Sequence, residues 1–269
     1  MSWPLYLYTV RQHGRSVARW GVGLLAMHYL YVAFYPVFAE QAAAVQAFLR
    51  QLPPEYRTAF GLDGVNLSQV LGYYSMIFLF VQMLLAVQAS RYGFDLVAAE
   101  ERHRTADFLL TRPVSRSQVF GAKLLAALTA LGLTWAVTWA AAWSSLALFH
   151  AGHPYDRRLL ALMLAGMAPF QGFFLAGGAA LAVLLPRPRH SLPYALGLTF
   201  GMYALSAAGD LQGRASPLER LTPFAAFDPS QVVRHGGYEP GAVALMAALS
   251  LLALAVAYAR FLRRDIPAP

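Results

Sequence analysis

Few residues in this sequence have the type and spacing for chemistry, and most of those stand together. Between Glu100 and Lys123 the chain reads EERHRTADFLLTRPVSRSQVFGAK, acids interleaved with bases between two long apolar runs. Glu100 and Arg104 are four apart with the acid first, Glu101 and Arg104 three apart, and His103 and Asp107 four apart. Those spacings pair charges along a helix face at about 0.2–0.5 kcal/mol each, enough to bias an exposed turn but not to build a reaction centre. Phe108, Leu109 and Leu110 then form an apolar block. Pro113 ends the element by driving its predecessor out of the helical region. Ser115 with Gln118 three later is a capping box that starts the next helix. Orientation in a membrane needs only bases. A structured stretch that mixes acids with bases points instead to docking of a soluble partner.

The other chemical candidates are thinner. His150 and His153 are three apart, but a metal site needs more ligands than the neighbourhood offers, so no metal site is expected. The sequence has no cysteine, hence no thiolate nucleophile or disulfide framework, and no His-Glu-x-x-His. Glu100-Glu101 resembles the double glutamate of membrane prenyl-protein proteases, but Thr105 stands where those enzymes place an arginine. No catalytic residue is therefore assigned. There is no G-x-x-x-x-G-K-[ST] phosphate loop either, so the chain is not itself an ATPase and is expected to bind no cofactor.

Positioning these residues falls to a membrane-embedded scaffold. Of 269 residues, 58% are hydrophobic and 13% charged, and the mean hydropathy is +0.47. A soluble domain carries about 25% charged residues. About 20 apolar residues cross the hydrocarbon core, and six runs qualify: 20–38, 70–89, 119–148, 159–185, 192–208 and 242–262. The second continues as helix past Arg91. The first turns of the third, with Lys123, either project below the membrane or let the lysine snorkel. The fourth is interrupted by Pro169, Gly172, Gly177 and Gly178. Residues 2–19 read as an interfacial segment, either a surface helix or a plain basic stretch, and not as a cleavable signal. Ala42 to Leu52 and Glu55 to Phe60 form short helices in a polar insertion.

The net charge of +8 does not imply nucleic acid, because the bases sit at the ends of apolar runs. Fourteen of the 21 Lys and Arg lie on the side that carries both termini and the 100–118 stretch, and seven on the other. The richer side is expected to be cytoplasmic, with 39–69 and 209–240 outside. Ionisable groups within the spans are almost limited to His28, which disfavours a proton-coupled transporter. Tyr31, Tyr35, Phe78, Gln82 and Gln171 are candidates to line a path for an amphipathic cargo, with interhelical bonding the alternative use.

The charged run resembles the cytoplasmic loop between the second and third helices of type-2 ABC export permeases. Glu101, Thr105, Asp107, Leu109, Leu110, Pro113, Ser115, Arg116 and Lys123 fill that family's places, with Arg104 where it usually has Gly and Asp107 for its commoner Glu. Pro223-Phe224 and Phe227-Asp228 are similar to its S-P-F-x-x-F-D segment, with Thr222 for Ser, and Phe261 to Ile266 to its terminal F-x-R-R-D. The resemblance implies one all-α permease domain over 1–269, six transmembrane helices with both termini cytoplasmic, in the cytoplasmic membrane. It implies a coupling element at 98–116, docked on a separate ATP-binding subunit through Glu100, Glu101, Arg104, Thr105, Asp107, Leu109, Pro113, Ser115 and Arg116. ATP and magnesium would bind that partner, and a second permease subunit, the same or different, would complete an exporter. A scaffold or sensor using the same loop, and less readily a membrane enzyme, are the alternatives.

Overall fold

The structure, a computed structural model, describes residues 2–53, 56–57, 66–103, 115–185, 190–211 and 221–263. Among these residues every regular element is a helix: α1 Trp3–Val32, α2 Tyr35–Glu40, α3 Ala42–Gln51, α4 Val70–His103, α5 Arg116–Phe149, α6 Arg157–Ala165, α7 Met167–Leu184, α8 Leu192–Leu211, α9 Pro223–Ala226, α10 Pro229–His235 and α11 Pro240–Arg263.

Among the described residues, five stretches are long and apolar enough to cross a membrane: Trp3–Glu40, Val70–Val97, Arg116–Phe149, Arg157–Leu184 and Pro240–Arg263. They contain five of the six expected spans. The remaining one, α8, has 20 residues and would measure about 30 Å, but it is not among the five, since Pro193, Gly197, Thr199, Gly201 and Ser206 dilute its apolar content. The expected interfacial segment 2–19 is continuous with the first span, because nothing between Val10 and Trp20 breaks a helix.

Two spans are interrupted, and by one cause. Proline lacks an amide hydrogen and its ring collides with the carbonyl four residues back. For Pro36 that residue is Val32, where α1 ends. For Pro169 it is Ala165, where α6 ends. The fourth span therefore breaks at Gly166, and its other glycines lie within continuous helix. Carbonyls next to the break find side-chain donors: the Trp135 indole N–H gives its hydrogen to Leu164 O at 2.8 Å and the Tyr238 hydroxyl to Met163 O at 3.3 Å. Such groups must be satisfied internally where lipid replaces water.

The core is built on α4 against α7. A Cβ on Gly93 would overlap the Leu175 carbonyl, and one on Gly178 the Ser90 carbonyl, so the two backbones touch there. Helix α1 runs along α5, with Tyr29 donating to Ser144 Oγ at 2.8 Å. Helix α11 packs mainly on α7 and is the least enclosed span, 11% buried against 72% for α4.

The second polar excursion departs from expectation. Residues 221–240 are not a purely external loop. Thr222 caps α9, Asp228 caps α10, and Gly236 closes α10 in a left-handed conformation (φ 76°). Phe224, Phe227 and Val232 are buried, Phe224 lying 5.3 Å from the Phe170 ring and 5.5 Å from that of Tyr203. Gln82, twelve residues into α4 and so about 18 Å from its start, donates to Phe227 O at 2.7 Å. The segment thus folds back into the bundle. Its aromatic residues gain burial, and capping satisfies the backbone.

Candidate functional site: the loop end of the bundle

The charged stretch hangs between α4 and α5, the two longest helices. Glu100 and Glu101 fall in the last turns of α4. Arg104, Thr105, Asp107, Leu109 and Pro113 lie outside the described residues. Description resumes at Ser115, which caps α5 as its spacing predicts: its hydroxyl accepts from Gln118 N at 3.3 Å and its amide donates to Gln118 Oε1 at 3.2 Å. Ser115 thus works within its own helix. Arg116 reaches another element, its Nη1 donating to Leu262 O in the last turn of α11 at 3.2 Å. One turn further on, Phe120 lies 5.3 Å from Tyr258 and 5.5 Å from Phe261.

On the α4 side a polar seam joins three helices. Thr134 on α5 donates to Gln88 Oε1 at 3.1 Å, and Gln88 Nε2 to the Tyr92 hydroxyl at 3.3 Å. Tyr92 donates in turn to Ser16 Oγ on α1 at 3.0 Å, and His13 on α1 lies against the Tyr92 ring at 4.5 Å. Lys123 does not snorkel. It is 7% exposed, and its ammonium donates to Leu96 O at 3.2 Å. Apart from Lys123, sequence reasoning passed this seam over. Gln88 and Tyr92 are four apart on one helix face, the one signal that would have found it.

The residues considered as a cargo path are mostly enclosed. Tyr35, Phe78, Gln82 and Gln171 are buried, and Tyr35 donates to Ser68 O at 2.9 Å. Tyr31 is 40% exposed, its ring 6.3 Å from Phe80. His28, fully buried, gives its Nδ1 hydrogen to Leu24 O at 2.7 Å, so its Nε2 is left to accept from Tyr74 at 3.0 Å. His150 and His153 turn to separate aromatic partners, Tyr155 and Tyr35. Tyr238, outside the spans, is held protonated by burial and then by the Asp228 carboxylate, both of which push its hydroxyl up.

Long apolar helices, two of them broken at proline, define a multi-pass helical membrane protein. Its most densely charged stretch links α4 to α5. The chain belongs to the ABC-2 transporter family, whose model, described as ABC-2 family transporter protein, matches residues 9–266 and so takes in nearly all of the five apolar stretches. It is therefore a membrane subunit of a transporter, and its class is not itself catalytic. No curated protein matches the chain.

Proposed function

We propose that this chain is the permease subunit of an ATP-driven exporter of the cytoplasmic membrane. It crosses six times, α8 supplying the sixth span, with both termini and the charged loop in the cytoplasm. The whole of 1–269 acts as one domain. A separate ATP-binding subunit carries ATP and magnesium, and a second permease subunit, identical or not, completes the pathway. The 98–116 element docks on the ATPase through Glu100, Glu101, Arg104, Thr105, Asp107, Leu109 and Pro113, and ATP-driven closure moves α4 and α5 together. Cargo contact is placed at Tyr31, the one member of the expected path open at the surface of the chain.

The observation that carries this reading is mechanical. The two helices that carry the loop are tied to the bundle, α4 by Tyr92 to α1 and α5 by Arg116 to α11. A load applied to the loop therefore reaches several spans. The test is co-expression with the ATP-binding subunit encoded beside it. A stable complex with ATPase activity is expected, and Glu101→Lys should loosen it while the permease still folds. A chain that purifies alone would move the weight to a scaffold or sensor.

A further inference from the structure

We propose that Arg116 is a positioning residue for the transport cycle rather than a contact to the ATPase. It fastens the loop end of α11 to the first turn of α5, so that the last span travels with the coupling element. The inference rests on the coupling role proposed above for 98–116.

The last carbonyls of a helix have no amide four residues on to bond them. A guanidinium there supplies the missing donor and meets the negative end of the helix dipole. Arg116 donates in this way to Leu262 O, at 3.2 Å, in the last described turn of α11. The bond is exposed and weak alone. It is set in register by Phe120, 3% exposed, which packs on Tyr258 and Phe261 from the same face of α5. Arg116 and Phe120 thus grip the final turns of α11. The grip matters because α11 is otherwise little enclosed: only Met246 and Ala257 are buried along it among the described residues, and its main contact is with α7. Arg260 and Arg263, the charges of its last described turn, are exposed and basic. Arg116 follows directly on the Ser115 cap, so any displacement of the loop exit moves it together with the first turn of α5. Cargo-driving motion would then reach α11 without passing through α7.

The sequence contains no cysteine, so spin labels can be placed in pairs, Ser117→Cys with Arg263→Cys and Leu184→Cys with Arg263→Cys, all three positions exposed. In the complex with the ATPase subunit, ATP should shift the Arg263–Leu184 label distance while the Ser117–Arg263 distance stays constant. Arg116→Gln should retain the ATPase subunit at the wild-type level, broaden the Ser117–Arg263 distances and abolish the ATP-driven shift of Arg263. Arg116→Lys, which still reaches a carbonyl, should restore the shift. Loss of the ATPase subunit from Arg116→Gln would overturn the proposal and return Arg116 to the docking surface. Unchanged distances in Arg116→Gln would overturn it as well. Should the wild-type chain bind no ATPase, the coupling role fails by itself, and the Ser117–Arg263 distances measured without a partner still decide whether Arg116 holds α11.

Discussion

At the scale of single residues, Gly178 controls how closely the two central helices approach. A Cβ there would overlap the Ser90 carbonyl, which is backbone and cannot rotate aside. Gly172, on the same helix, would meet nothing within 4 Å. Gly178→Val should therefore force α4 and α7 apart and destabilise the fold by about 1–3 kcal/mol, the usual cost of overpacking. Gly172→Ala should be neutral or stabilise by up to about 1 kcal/mol, since alanine is the better helix former. Thermal unfolding in detergent separates them, and equal melting points for the two variants would remove the close contact from the account. Sequence reasoning marked Gly172, Gly177 and Gly178 alike as interruptions of the fourth span. Which of them touches a neighbour depends on the helix face turned toward α4, and a run apolar on every side carries no such periodicity.

At the scale of elements, most of the fold was legible because proline and apolar length act locally. Five of the six expected spans fall in membrane-length apolar helices, and the amphipathic helix before Pro53 ends at Gln51 with Leu52 extended, as a residue before proline must be. The interruption of the fourth span was assigned to Pro169, Gly172, Gly177 and Gly178 together, whereas the helix breaks once, at Gly166, where the proline's collision acts. The buried segment 221–240 was not legible. Its proline and polar content read as loop, and α9 and α10, of 4 and 7 residues, are too short to show a hydrophobic period. Of the loop site, the Ser115–Gln118 cap was readable from spacing. The bond of Arg116 to Leu262 was not, being a contact between positions 146 residues apart. The Gln82 side chain is what ties 223–235 to the bundle interior. Gln82→Leu would leave the Phe227 carbonyl without this donor, a loss of about 1–3 kcal/mol for a buried group. Hydrogen exchange should then quicken across α9 and α10 while α4 and α7 stay protected. Exchange that quickens everywhere, or nowhere, would mean that this bond does not hold the segment.

At the scale of the whole molecule, the depth of the arginines orients the bundle. Arg91 lies 21 residues after Val70, about 31 Å along α4 at 1.5 Å per residue, and the hydrocarbon core is about 30 Å thick. A guanidinium at that distance from the start of the span stands where the hydrocarbon core ends. The twelve residues from Arg91 to His103 then carry α4 about 18 Å further, and Lys123 bonds to Leu96 O within that extension. The coupling role requires this end to face the cytoplasm, where an ATP-binding subunit can reach it. The excess of bases on that side argues the same way. In a chain with no native cysteine, His153→Cys and Ser117→Cys, both at exposed positions, report the two faces separately. A membrane-impermeant maleimide should label His153→Cys in intact cells and Ser117→Cys only after the membrane is opened. The reverse pattern would put the charged loop outside, beyond the reach of any ATPase, and would remove the coupling role together with the orientation. Labelling of both positions in intact cells would contradict an odd number of crossings between residues 117 and 153, and so the assignment of α5 as a single span.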